Sequence, residues 1–334
     1  MSRLNLTLLA LVAVAIPLSL LAGRVWIDPF HPTVRNATVI LMELRLPRAL
    51  LAVTLGAGLG GAGAAMQGYL RNPLADPGLF GIAPAAALGA VLALSTGAAA
   101  AASWALPAGA LAGAALAMAL LGLIAGRDAD GHAGLALFTL AGLMIASLAG
   151  ALMSLVISLA PNAFALSEIV TWLMGALTDR SWADLAVAAP LTALGLVILR
   201  LAGRGLDALV LGESAARSLG LDPRRLQALL IAGIGLTVGA GVAVAGIIGF
   251  VGLVVPHLVR PFTDRRPSRL IVPSALAGAL LLLAADCLCR VVPLVTELRL
   301  GIALSLVGAP FFLALLLRLR RGAGSDARTD QGFA

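Results

Sequence analysis

Apolar residues in this sequence neither alternate nor fall in narrow stripes; they fill long blocks broken by arginines, acidic residues and Pro/Gly clusters. A helix needs roughly 20 consecutive apolar residues to cross a bilayer core, and the blocks have that length. They predict ten spanning helices, over 4–23, 49–70, 78–98, 104–126, 133–159, 182–200, 226–247, 249–263, 270–288 and 300–318, the eighth of them short. The uncharged run between Asp76 and Arg127 is too long for one crossing and breaks near Gly97 and Pro107. The run over 226–259 divides at Gly246, Gly249 and Gly252. Leu4–Gly23 is longer than a signal-peptide core and lacks a cleavage site, so it reads as the first span. The fold class expected is all-α and polytopic, with 1–321 as one transmembrane domain and 322–334 as a disordered cytoplasmic tail.

Two stretches, Gly56–Gly63 and Gly233–Gly246, are dense in small residues at helical spacing, which lets helix backbones approach closely in lipid. Both are expected inside the bundle. They run in opposite directions across the membrane, as the halves of an inverted repeat would, though glycine content alone does not establish one.

Composition agrees with the pattern: 60% of residues are apolar, 12% charged, and the mean hydropathy is +1.04. All 23 basic residues are arginine. Without lysine there is no Walker A phosphate loop and no Schiff-base chemistry, so any ATP that drives this protein is bound by another subunit. The net charge of +7 does not imply nucleic acid, because the arginines sit at the ends of apolar blocks. With both termini in the cytoplasm, Arg24, Arg35, Arg45, Arg48, Arg180, Arg290 and Arg299 lie outside and the other sixteen inside, the positive-inside arrangement. Cys287 and Cys289 diverge by roughly 200° on a helix and cannot pair with each other. The three histidines, His31, His132 and His257, have no ligand spacing, so no metal site is expected.

The longest polar interruption, Arg200–Arg225, interleaves Leu209, Leu211, Ala215, Ala216, Leu219 and Leu221 with Glu213, Ser214 and Arg217. Gly212 and Gly220 bracket a turn or two of helix there. It reads either as a connector on the membrane surface or as a docking element for a cytoplasmic partner. At Arg71–Pro77, Pro73 and Pro77 end the preceding helix and Asn72 suits the turn. In Gly249–Arg260, His257 follows Pro256 at a membrane boundary and reads as a structural residue.

Five motifs together, Arg45-Leu46-Pro47-Arg48, Gln67 with the Asn72–Asp76 turn, Leu211-Gly212-Glu213 through Leu219-Gly220, Gly249–Arg260 and Gly308-Ala309-Pro310-Phe311-Phe312, resemble the FecCD-type permease family. These are the membrane subunits of binding-protein-dependent ABC importers for iron-siderophores, haem and cobalamin. The similarity runs from about 40 to 318. It implies a type II importer permease fold in a bacterial inner membrane, assembled as a homodimer with the pathway between the copies. It also implies two cytoplasmic ATPase subunits carrying ATP-Mg, a substrate-binding protein docking from outside, and no cofactor on this chain.

Residue by residue, the resemblance makes Gly212, Glu213, Ala216, Arg217, Leu219 and Gly220, within a 203–223 coupling-helix segment, the contact with the ATPase. Arg45, Arg48 and Arg290 match arginines that meet acidic residues of the binding protein from exposed ends. Asp286, four residues before Arg290, offers that arginine an internal partner instead. The fifth span presents Met144, Ser147, Ala151, Ser154 and Ser158 on one uncharged face as the pathway lining. Asp128, Asp130 and His132 lie in the cytoplasmic gate region; Gln67, Asn72, Pro73, Asp76, Pro256 and His257 are turn-forming. The chain departs from the family at Gly81-Ile82-Ala83 and at Glu297–Gly301, where the usual proline before Gly-Ile is missing.

A secondary transporter is the rival reading. It would need an ionisable group at mid-bilayer, and the only candidate, Asp286, lies near a span end.

Overall fold

The structure, a computed structural model, describes residues 2–23, 36–125 and 134–329. Each predicted span coincides with a helix: α1 (Arg3–Leu21), α2 (Ala37–Tyr69), α3 (Ile82–Ser95), α4 (Ala105–Ala125), α5 (Gly134–Ser158), α7 (Trp182–Leu209), α9 (Pro223–Ala245), α10 (Val251–Val259), α11 (Pro267–Val291) and α12 (Leu300–Thr329). Between them lie α6 (Ala163–Leu173) and α8 (Glu213–Ser218), and no strand occurs among the described residues. Eight of the helices are long and apolar enough to cross a membrane; α3 and α10 are shorter.

Local chemistry sets the helix ends. Pro223 and Pro267 occupy first-turn positions of α9 and α11, where a missing N–H costs nothing. Asp222 caps α9, its Oδ1 accepting from Arg224 N–H at 2.9 Å. Pro47 cannot donate to the carbonyl four residues back, and α2 passes through a π turn over Ile40–Arg45 just before it.

The structure differs from the sequence reading at several points: α2 begins at Ala37 rather than near 49, and α12 runs to Thr329, into the 322–334 stretch expected to be a disordered tail. α7 continues to Leu209, because Leu199, Ala202, Leu206 and Leu209 recur at helical spacing and all stay buried. The connector before it contains α6, whose Asn162 accepts from Ala165 N–H at 2.8 Å and whose Ala165 and Ile169, one turn apart, are buried.

α2 and α9 form the interior, whereas α1, α4, α5 and α12 leave most of their surface open. The close approaches predicted for the glycine-rich stretches are present. Gly56 and Gly60 of α2 lie so near the α11 backbone that a methyl on either would collide with the carbonyl oxygen of Gly278 or Ser274. Gly63 stands against Gly252 of α10 in the same way.

Candidate functional site

At one end of the bundle the chain leaves α7 through Val210–Gly212 and makes the single short helix α8. Gly212 at φ 97° and Gly220 at φ 84° adopt backbone conformations costly for any residue with a Cβ. The helix ends in a Schellman motif, Leu221 N–H donating to Ala216 O at 3.0 Å and Gly220 N–H to Arg217 O at 2.8 Å. Ala216 is buried and fixes the segment to the bundle. Leu211 and Leu219 are 65% and 68% exposed, with Val210 exposed beside them. Arg217 is exposed and Glu213 half-buried. A short helix anchored by one alanine thus leaves a leucine exposed at each of its two ends.

A second contact at this end escaped the sequence reading. The Asp207 carboxylate, three residues after Arg204 on α7, accepts from both Ser268 N–H (2.8 Å) and Ser268 Oγ (2.5 Å). The stem of the α8 loop is thereby tied to the first turn of α11.

The turn after α2 is organised by the residues the sequence singled out. Asn72 Oδ1 accepts from Leu74 N–H at 3.0 Å, and Asp76 Oδ1 accepts from Gly78 N–H at 2.8 Å to cap a 3-10 turn over Pro77–Phe80. Burial raises the Asp76 pKa, and that hydrogen bond offsets part of the shift. Gln67, expected to be turn-forming, instead lies inside α2, two residues before its end. Its Nε2 donates to Leu253 O at 3.2 Å and its Oε1 accepts from an Arg260 guanidinium at 2.6 Å, clasping α2 to α10 and the turn after it. Pro256 and His257, also expected to be turn-forming, both lie inside α10, where His257 meets Phe311 edge to face at 6.1 Å. Gln67→Leu leaves the Arg260 guanidinium without its amide acceptor and is expected to cost about 1–3 kcal/mol, read as a lower unfolding midpoint in detergent.

At the opposite end, Arg48 donates to both oxygens of Asp286 (Nε at 3.0 and 3.2 Å) and also pairs with Glu297 at 2.9 Å. Arg290 reaches the same aspartate at 3.1 Å. Arg290 and Arg45 further donate to carbonyls at the end of α1, Ala22 O at 3.2 Å and Leu20 O at 2.6 Å. Helix C-terminal carbonyls carry partial negative charge and welcome such cations.

The exposed ends expected for Arg48 and Arg290 are therefore not found. Their side chains are 11% and 4% exposed, because Asp286 and Glu297 satisfy them from within the chain. Arg45 is half-buried. With Arg180, these arginines line a cavity of about 330 Å³ that Glu297 and Asp179 also reach.

Burial of Glu297 opposes ionisation, but the Arg48 hydrogen bond and charge, together with the Thr178 hydroxyl, outweigh it and lower the pKa. A carboxylate with a depressed folded pKa adds stability above its unfolded value of 4.5 and loses it as pH falls through the folded value. The unfolding midpoint is accordingly expected to drop below pH 4.5, and less so in Glu297→Gln.

On α5, Met144, Ser147, Ala151, Ser154 and Ser158 are all exposed in the single chain, forming one continuous uncharged face. Ser154 Oγ donates to Gly150 O at 2.9 Å, so that hydroxyl is turned back on its own helix. Asp128, Asp130 and His132 lie outside the described residues. Among the described residues no group of three or more His, Cys, Asp or Glu could hold a metal ion.

Residues 7–318 match the FecCD transport family from end to end of the bundle. The chain belongs to the FecCD transport family. Curated relatives include the uncharacterized ABC transporter permease YvrB of Bacillus subtilis, 40% identical over 86% of this chain and 81% of that protein. The haemin transport permease HmuU of Yersinia pestis is 38% identical over 84% of each chain. The vitamin B12 import permease BtuC of Vibrio cholerae is 38% identical over 90% of this chain and 89% of its own. A solved metal-chelate type ABC transporter in an inward-facing conformation superposes with a TM-score of 0.86 at 29% identity, covering 95% of this FecCD-family chain and all of the other.

Proposed function

We propose that this chain is the membrane-spanning permease of a binding-protein-dependent ABC importer for an iron chelate, such as a siderophore complex or haem, or for cobalamin. One observation carries the reading mechanically: the α8 segment, pinned by Ala216 and two left-handed glycines, holds Leu211 and Leu219 outward beside Arg217. Such a surface lets a separate ATPase push on the bundle, and a chain without lysine has no Walker A loop to bind ATP itself.

In this assembly Gly212, Glu213, Ala216, Arg217, Leu219 and Gly220 form the coupling contact with one of two ATPase subunits, each of which holds ATP-Mg. A second copy of the chain packs against the open faces of the bundle, and the α5 face from Met144 to Ser158 lines the pathway between copies. A bulky chelate slides along a surface of small, weakly polar side chains without being trapped. The binding protein docks at the opposite end, where Arg45 and Arg180 stand at the cavity with Arg48 and Arg290 held behind them. The membrane is the bacterial inner membrane, and both termini are cytoplasmic. A secondary transporter has less support, since Asp286 is held between two arginines rather than isolated for proton exchange.

The test is co-purification and ATP hydrolysis with the candidate ATPase in liposomes, for wild type and for Glu213→Arg combined with Arg217→Glu. Wild type is expected to assemble and stimulate hydrolysis, and the double variant to insert normally yet recover less than a tenth of the ATPase. An unaffected double variant would remove α8 as the coupling contact.

A further inference from the structure

The end of the bundle that carries α8 also holds a cavity the transport reading does not use. It measures about 360 Å³ and opens between the start of α1, the C-terminal third of α7 and the start of α11. Arg200 of α7 and Arg269 of α11 face it, together with Asp264. Arg269 pairs with Asp264 at 3.4 Å, while Arg200 is exposed and makes no ion pair among the described residues. Two arginines against one aspartate leave a net positive charge. Asn5 of α1 also lines the cavity, and its Oδ1 is buried without a hydrogen-bond donor. The site therefore asks for an anion that also carries a donor.

Its remaining walls are apolar and lie deeper. Val272 and Pro273 stand one turn further along α11 than Ser268 and Arg269, about 6 Å towards the bundle centre. Leu4 closes the side towards α1, a helix with only 11% of its apolar stretch covered by protein, so lipid reaches this wall. Phe262, 73% exposed, stands at the rim, where aromatic side chains meet the headgroup region. Polar groups at the end of the bundle over an apolar floor reproduce the boundary between a phospholipid's head and its chains.

We propose that this cavity binds one anionic phospholipid with a hydroxylated head, of the phosphatidylglycerol kind. The phosphodiester lies between Arg200 and Arg269, and a head hydroxyl donates to Asn5 Oδ1. The lipid fastens the start of α1 to α7 and α11, as Arg45 and Arg290 fasten its other end. The proposal rests on the chain spanning a membrane and is independent of ATPase coupling and cargo.

Native mass spectrometry of the full chain in neutral detergent tests it. Wild type, Arg200→Gln with Arg269→Gln, and Asn5→Leu would each be titrated with phosphatidylglycerol, phosphatidylcholine or inorganic phosphate. Wild type is expected to retain one phosphatidylglycerol per chain at concentrations where phosphatidylcholine is lost. The double arginine variant should need at least tenfold more lipid, and Asn5→Leu about threefold more, with phosphatidylcholine unaffected. Equal retention of both lipids by wild type, or unchanged phosphatidylglycerol retention in the variants, overturns the site. Displacement by inorganic phosphate at matching concentration assigns it to a free anion instead. If the double variant fails to fold, Asn5→Leu alone decides.

Discussion

Asp286→Ala is expected to destabilise the protein by about 3–5 kcal/mol, more than any other single change in the cluster of Arg48, Asp286, Arg290 and Glu297. The aspartate is 1% exposed and is the shared partner of Arg48 on its own helix's neighbour and of Arg290 one turn along α11. Removing it leaves two largely buried guanidinium groups facing each other. Glu297 can still take Arg48, but it does not pair with Arg290. Arg290→Gln alone should cost less, because Asp286 keeps its two hydrogen bonds from Arg48. Adding Arg290→Gln to Asp286→Ala should then restore part of the loss, since it removes one of the stranded charges. The cycle is read from unfolding midpoints in mixed detergent micelles. Strict additivity of the two single changes would mean that Arg290 is held by its contact with Ala22 O and not by the aspartate.

The same cluster marks where sequence reasoning reached its limit. Asp286 and Arg290 are four residues apart on one helix, so their pairing could be anticipated from spacing. Arg48 lies 238 residues from Asp286, and nothing in either segment announces the other. Asp207 and Ser268, 61 residues apart, are hidden for the same reason. The eight long spans were legible because lipid imposes a length and an apolar composition on any helix that crosses it, and the shorter α3 and α10 showed as uninterrupted apolar runs. α6 was not, because its 11 residues fall short of a crossing and Ser167, Glu168 and Thr171 break its apolar character. Only Asn162, a good N-cap before Ala165 and Ile169, signalled it.

The α8 region was half legible. Gly212 and Gly220 correctly bracket a helix, since both positions require positive φ. Which of its leucines pack on the bundle was not readable from the amphipathic pattern: Leu209 is buried, whereas Leu211 and Leu219 are exposed.

Gly60→Leu is expected to abolish recovery of folded protein altogether, and Gly60→Ala to cost about 3 kcal/mol. Lipid supplies no hydrophobic drive between helices, so α2 and α11 hold together through close backbone contact, and at Gly60 the first atom of any side chain would meet the Ser274 carbonyl. A carbonyl fixed in its own helix cannot move aside as a flexible side chain can. The helices must separate along the crossing, which also opens the contact of Gly56 with Gly278 one turn away. Gly122 of α4 provides the comparison, since a methyl there meets nothing within 4 Å. Gly122→Ala should be neutral or slightly stabilising, by up to about 1 kcal/mol, because alanine is the better helix former. Both variants keep the hydrophobicity that directs insertion, so both should reach the membrane. They should part on size exclusion in detergent, where Gly122→Ala elutes as wild type and Gly60→Leu aggregates. A well-behaved Gly60→Leu would mean that α2 and α11 tolerate a wider spacing, and that the small-residue seam is not what sets the interior of the bundle.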